Sequence, residues 1–485
     1  MKTVLFTLIL ACTLSVSAEK NPFLGREFWK TNPTPEQVKT QMEAGHSPSE
    51  FNAFNFDAIV YAILEKASFP TIQFLMEQPG NSAKKITHDG RNYLMWAGYK
   101  GDFSLVEYLI KQGSDMKLLD DKGNNVVTFT ALGGTMNPKI YDAYEEAGIL
   151  VKIPNRSGTT AIHYLVQHVD HLNQLDYFIK KGLSISSKDN ENNTLFHYAS
   201  AQGKTPVLKE LIEKGLDPKA FNDNNENALF FTARGMRGTD HGVASFEYFV
   251  GLGLNPSLPN NEKTNLLHIV ASSNKNKSVY TYLIKNKVDP QARDSKGNTP
   301  LIYAIQRNNT EAISILLPLT EDKKTVNNSG KSALTYALRA KNKELTEQLI
   351  TAGVSIYTRA DDDSNIITEL VKTYIKKDRV FFDFYFDRFV KEGIKIQDIT
   401  IHLATLKESK YLLSRLLKEG KDINVKNKDG LTPLQVSAMK GNDTVFINYL
   451  LEHGADKKVS TEFGESVYEL AQQNELLQDK IEFLK

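Results

Sequence analysis

The sequence predicts an all-α solenoid: a stack of helix-turn-helix units joined by short polar β-turn fingers. Three observations predict it. A first glycine ladder, Gly90, Gly123 and Gly158, then Gly297 and Gly330, then Gly430 and Gly464, has steps of 33, 35, 33 and 34 residues. A second, independent ladder runs through Gly113, Gly148, Gly182 and Gly215 with steps of 35, 34 and 33, and again from Gly420 to Gly454 with a step of 34. Between the rungs, apolar residues recur at intervals of three and four, the period of an amphipathic helix. Such a period marks stacked units, none of which buries its apolar face alone. Asn192, Glu226, Lys263 and Ser364 stand at the missing rungs of the first ladder.

The clearest unit is Lys428 to Lys458. Asp429-Gly430 is a turn, because glycine adopts the left-handed backbone that side chains resist. Thr432-Pro433 opens a first helix, threonine capping it and proline occupying the first helical position, where its missing N–H costs nothing. Small Ser437 and Ala438 allow close packing, and Gly441-Asn442 breaks the helix. A second helix with Val445, Phe446, Tyr449 and Leu450 on its apolar face ends at Gly454, a left-handed cap.

In chain order, residues 1–18 read as a secretory signal peptide, with Lys2 as the positive end, Val4 to Leu14 as the apolar run and Val16-Ser17-Ala18 as the cleavage site. The sole cysteine, Cys12, lies inside it, so the mature chain has no disulfide and no thiol chemistry; a loose lipobox at Ile9 to Cys12 is the rival reading, a lipoprotein. The expected location is the periplasm or the extracellular space, and the short signal and many Asn and Lys residues suit a bacterial source. Residues 19–56 are a capping segment and half repeat, in which Phe23, Phe28 and Trp29 cover the first unit and Thr34-Pro35-Glu36 opens a helix. The array fills 57–464 and is irregular at 235–244, where a glycine-rich insertion separates two helices. A second irregularity, at 355–420, shows glycine steps of 40 and then 27. Within it, Phe382, Tyr385, Phe386 and Phe389 share a helical face and belong to the core, while Phe381 and Phe384 lie off that face and are candidates for a sticky surface. Residues 465–485 are read as a C-terminal capping helix, with AQQNELLQDKIEFLK as its polar stretch.

These units resemble the ankyrin repeat family. Its pattern of turn, glycine, Thr-Pro-Leu-His, small residues and a leucine-rich helix ending in Gly-Ala is best matched by GLTPLQVSA at 430–438 with LLEHGAD at 450–456, and by GNTPLIYA at 297–304. Weaker copies are GTTAIHYL at 158, NNTLFHYA at 192, KTNLLHIVA at 263 and GKSALTYA at 330. The resemblance covers about twelve or thirteen repeats and nearly all of the mature chain. It places His163, His197 and His268 at the family's histidine position, where the ring holds neighbouring turns together.

Catalytic signatures lack their companions. Gly203-Lys204-Thr205 suggests a phosphate loop, but Tyr198 stands where the first glycine is needed, and Gly251-Leu252-Gly253 is followed by Pro256 in place of a third glycine. Ser82 to Lys85 and Ser272 to Lys275 have Ser-x-x-Lys spacing without a Lys-Thr-Gly. Asp361, Asp363 and Asn365 begin like a calcium loop, but Ile366 and Lys372 replace its glycine and glutamate, leaving a solvated turn. His163, His168, His171 and Asp170 are the remaining metal candidate, and two imidazoles at helical spacing make a weak site. No cofactor is expected; a hydrolase or metal-binding protein is the remote alternative.

With 59 basic and 58 acidic residues and no run of three lysines or arginines, neither nucleic acid nor a membrane surface is the expected partner. No stretch after the signal reaches ~20 apolar residues, so no transmembrane segment is expected. The resemblance implies a protein-binding module working through its concave finger and first-helix surface, expected to be a monomer. Its contact positions fall here on Arg293, Ser295, Lys296, Asn298, Gln306 and Arg307, and on Lys426, Lys428, Asp429, Leu431, Met439 and Lys440. Both sets lean basic, which favours an acidic patch on the partner. An alternative is a periplasmic or lipid-anchored accessory that holds or inhibits another enzyme.

Overall fold

The computed structural model describes residues 20–485 except 237, 240, 361, 363, 478 and 479. The expected signal peptide and Cys12 lie outside the described residues, as do Asp361 and Asp363. The chain forms two compact units, one running to Arg237 and one from Gly238 to Lys485. Among the described residues it is all-helical, with two isolated β-bridges, Lys188 with Thr194 and Val326 with Ser332. Each unit is a stack of helix pairs.

Capping chemistry sets where first helices begin. In Pro433–Lys440, the Thr432 hydroxyl accepts the Gln435 N–H at 3.3 Å and the Gln435 side chain accepts the Thr432 N–H at 2.8 Å. His197 and His268 play the glutamine's part, each accepting the N–H of its cap residue, Thr194 or Asn265, at 3.0 and 3.2 Å. First helices pack against first helices of adjacent repeats and against their own second helices, so they are buried nearly all round; Tyr93 to Gly98 are six consecutive buried residues. Gly98 is needed for one such approach. A Cβ there would sit 2.1 Å from the Thr130 hydroxyl and 2.3 Å from the Tyr144 hydroxyl. Second helices bury one stripe, as in Phe103–Lys111, where Leu105, Val106 and Leu109 point inward.

In the N-terminal segment Phe23 and Trp29 are fully buried, Phe28 is half-buried, and the Trp29 indole donates to the Phe23 carbonyl at 3.0 Å. The aromatic helix Arg379–Lys391 buries Phe382, Tyr385, Phe386 and Phe389 and leaves Phe384 exposed, with the Lys343 ammonium 4.3 Å above its ring. Phe381 is half-buried against Tyr385.

Four expectations need correction. The rung read at Glu226 belongs to Asn225, whose φ of 57° is left-handed and whose N–H closes the turn onto the Asn222 carbonyl. Ser364 likewise stands one place past its rung, since its carbonyl accepts the Ala360 N–H at 2.8 Å. Val445 is 54% exposed, and Ile447 takes its place in the core. The C-terminal segment is not one helix. Val467–Gln472 ends where the Asn474 amide turns back to donate to the carbonyls of Ala438 and Gly441 at 3.2 and 2.9 Å. Beyond it lies a short 3-10 turn, Glu482–Leu484, with Leu477, Ile481 and Leu484 buried.

The irregular region has a simple structural cause. The four residues by which Arg379–Lys391 exceeds its nine-residue counterparts enlarge the first glycine step. The second step shrinks because Gly393 is followed almost at once by the helix Ile399–Leu406. Twelve residues separate Gly353 from Ile366, and twelve separate Gly420 from Pro433, each enough for a finger. Only five lie between Gly393 and Ile399. One finger is missing.

Candidate functional site

Most fingers are built on an Asp or Asn that the glycine ladders did not reveal; Thr87, Ala360 and Thr461 hold that place in three others. The side-chain oxygen of Asn155 accepts the N–H groups of Ser157 and Thr159, both at 2.9 Å. Asp120, Asp189, Asn222, Asp294, Asn327 and Asn427 do the same for the residues two and four places on. These turns free the backbone from any need for a sheet. The signal was present in the sequence: each lies three residues before a rung of the first ladder.

Adjacent fingers are zipped together. The amides of Asn155, Asn222 and Asn327 donate to the side-chain oxygens of Asn124, Asn193 and Asn298 at 2.9, 2.9 and 2.8 Å. Backbone bonds run alongside, from Arg156 to Gly123, Asn190 to Ser157, Ser295 to Glu262 and Asn328 to Lys296. Burial raises the Asp294 carboxyl, but the Asn298 N–H and amide and the Tyr303 hydroxyl outweigh it and hold it below its usual range. Its neighbour Tyr303 is pushed up to about 12 by burial and by that carboxylate.

Of the expected contact residues, Arg293, Ser295, Lys296, Gln306 and Arg307 are exposed, as are Lys426, Lys428, Asp429, Met439 and Lys440. Leu431 is half-buried. Asn298 is a correction: it is 8% exposed, and its side chain is held between Asp294 and Asn327, so it supports the fingers and offers no contact. Arg293 and Ser295 also bind neighbouring fingers, through the Val326 carbonyl and Glu262. The two sets do not form one patch. Three first helices, Ala333–Arg339, Ile366–Thr373 and Ile399–Leu406, stand between those of the two sets, which at roughly 10 Å per layer separates them by about 40 Å.

A cluster of paired charges fills the interval, of which sequence reading notes Lys372 alone. Buried Glu369 is held by Arg339 at 3.1 Å and Lys372 at 3.2 Å, and Lys372 also binds Asp362 at 2.7 Å. That lysine's hydrogen bond holds the Asp362 carboxyl well below its usual range. In the other unit, the histidine cluster diverges. His163 is buried beside Thr160, while His171 faces the Glu210 carboxylate at 2.6 Å. Among the described residues no group of three metal-ligating side chains occurs.

Stacked helix pairs joined by a row of side-chain-pinned fingers define a helical repeat protein. A family model for ankyrin repeats matches residues 267–360 and 401–484, with three copies in all. The chain carries ankyrin repeats over these residues. It is similar to the phosphocholine transferase AnkX of Legionella pneumophila, 22% identical over 46% of this chain and 21% of that protein. It is also similar to the palmitoyltransferase AKR1 of Lachancea kluyveri, 28% identical over 26% of this chain and 17% of that protein. The chicken nuclear factor NF-kappa-B p105 subunit is 29% identical over 23% of this chain and 11% of its own length. The chain thus spans about a fifth or less of these relatives. No helix among the described residues is long and apolar enough to cross a membrane.

Proposed function

We propose that this is an exported, non-enzymatic ankyrin repeat protein that binds a protein partner through its concave finger and first-helix surface. The observation that carries the reading is the division of labour within the two fingers that hold the expected contacts. Buried Asp294 and half-buried Asn427 fix the backbone, leaving Arg293, Lys296, Gln306, Arg307, Lys426, Lys428 and Lys440 exposed. Such positions vary in chemistry at little cost to the stack. The basic lean of both sets supports an acidic partner surface.

The test is capture by the tagged chain from Glu19 onward in extracts of its own compartment, with R293E/R307E/K426E as the control. Folding of that variant is checked by circular dichroism, since Arg293 also binds the Val326 carbonyl. One protein retained by wild type, lost by the reversal and bound again when purified supports the reading. Equal retention by both chains refutes it. Mass measurement of the secreted N-terminus tests export separately: a cut after Ala18 agrees with it, and a lipidated Cys12 replaces it with a lipoprotein.

A further inference from the structure

The missing finger leaves a recess of about 600 Å³ between the fingers that carry Arg359 and Asp362 on one side and Lys426 to Lys428 on the other, floored by Lys395 to Ile399. Among the described residues five cations line it, Arg359, Lys395, Lys421, Lys426 and Lys428, against two carboxylates, Asp362 and Asp398. Both carboxylates are already occupied, Asp362 by Lys372 and Asp398 by Lys421. Lys395, Lys426 and Lys428 make no ion pair among the described residues. The floor and the Lys426 to Lys428 side of the recess are therefore electropositive among the described residues, within a chain of nearly zero net charge.

Hydrogen bonding points the same way. At Asn155, Asn222 and Asn327 the side-chain amide donates to the preceding finger. Asn427 occupies the same position beside the gap, and its amide donates to nothing among the described residues. The N–H of Lys428 is the counterpart of those of Arg156, Ser295 and Asn328, each bonded to a preceding finger, and it too has no acceptor among the described residues. The floor has lost a partner as well. His402 is 3% exposed and binds the Val425 carbonyl through Nε2 at 3.0 Å, but its Nδ1 is unpartnered, because Ile399 stands where Thr160, Thr194 and Asn265 serve the other histidines.

We infer that this recess takes an acidic turn of the partner protein, which fills the place of the absent finger. Its carbonyl oxygens meet the Asn427 amide and the Lys428 N–H, and its carboxylates meet Lys395, Lys426 and Lys428. A turn fits better than a lone anion because the gap is the size of a finger and its free donors are those a finger's oxygens satisfy elsewhere. The inference rests on the protein-binding reading above and gives it a place and a chemistry.

The test uses a fluorescein-labelled ten-residue peptide of alternating Gly and Asp, its Gly-Asn counterpart, and fluorescence anisotropy at 50 mM salt. Wild type is expected to bind the acidic peptide and not the neutral one. K395E/K426E/K428E, and the milder K395Q/K426Q/K428Q should the first misfold, are expected to weaken binding at least tenfold. K111E/K180E/K209E, with the same charge change on exposed second-helix positions, is expected to stay within twofold. No binding by wild type, or equal loss in the recess and control variants, overturns the inference. Displacement of the peptide by millimolar inorganic phosphate reassigns the recess to small anions and overturns it too. Partner capture lost in R293E/R307E while the peptide fails to bind removes the recess alone; capture indifferent to every finger reversal removes the wider reading.

Discussion

If buried Asn side chains hold the fingers, Asn327→Ala should loosen one finger pair far more than any change at its exposed tip. Asn327 is 7% exposed and makes four hydrogen bonds. It accepts the Ser329 and Lys331 N–H groups at 3.0 Å each, and donates to the Asn298 oxygen at 2.8 Å and the Tyr336 hydroxyl at 2.9 Å. At about 0.5–1.5 kcal/mol net per bond, with some groups regaining water at the finger's edge, the loss is about 3 kcal/mol. That corresponds to roughly a hundredfold rise in local opening. A long repeat array need not unfold in one step, so a single melting temperature is a poor readout. Amide hydrogen exchange over residues 320–340 measures the opening directly. Asn327→Asp keeps both backbone acceptor bonds and can take the tyrosine proton, as Asp294 does from Tyr303 at 2.9 Å, but it faces the Asn298 oxygen without a donor. A rise of about tenfold is expected there. Ser329→Ala, at an exposed tip, should change exchange less than twofold. Exchange in Asn327→Ala within twofold of wild type would refute the reasoning.

Other packing and charge features carry further testable outcomes. Burial holds His163, His197, His268 and His402 below the usual imidazole range. With the folded value depressed, the unfolded chain binds more protons, so stability is full above about 6.5 and falls as pH drops below it. Melting between pH 7.5 and 5 should show this, and His197→Gln should flatten the slope; an unchanged slope counts against it. The carboxylates held low, such as Asp294, act only at lower pH and do not blur that window. Gly98→Ala should destabilise despite a helix-propensity gain of about 1 kcal/mol, because its methyl meets the Thr130 and Tyr144 hydroxyls. Adding Thr130→Ala and Tyr144→Phe should recover part of the loss, and a more stable single variant would contradict the close approach.

The period was legible because it is carried by residues with a local reason to be where they are. Glycines with positive φ end second helices and turn fingers, and threonine-proline opens first helices, whatever the rest of the chain does. Legibility failed where the reason is distant. Asn298 reads as an outward position in its own repeat, but Asp294 and, from the next repeat, Asn327 hold it inward. Asn225 rather than Glu226 takes the left-handed turn because asparagine tolerates it, a preference too weak to fix a register without the Asn222 anchor. The absent finger showed only as a glycine step of 27, which says that something is short but not which element. At the C-terminus, helical composition lost to the Asn474 amide, whose acceptors lie more than thirty residues earlier.

The central claim, that partner binding uses the finger and first-helix face, is tested most directly by site-specific photocrosslinking in the native compartment. A benzophenone amino acid is placed singly at Arg307, Lys428 and Lys440, and for contrast at Lys111, Lys180 and Lys209, all exposed. The account predicts crosslinks to one and the same protein from the first three positions and none from the second-helix three. Crosslinks from the second-helix positions, or from both groups alike, would contradict it.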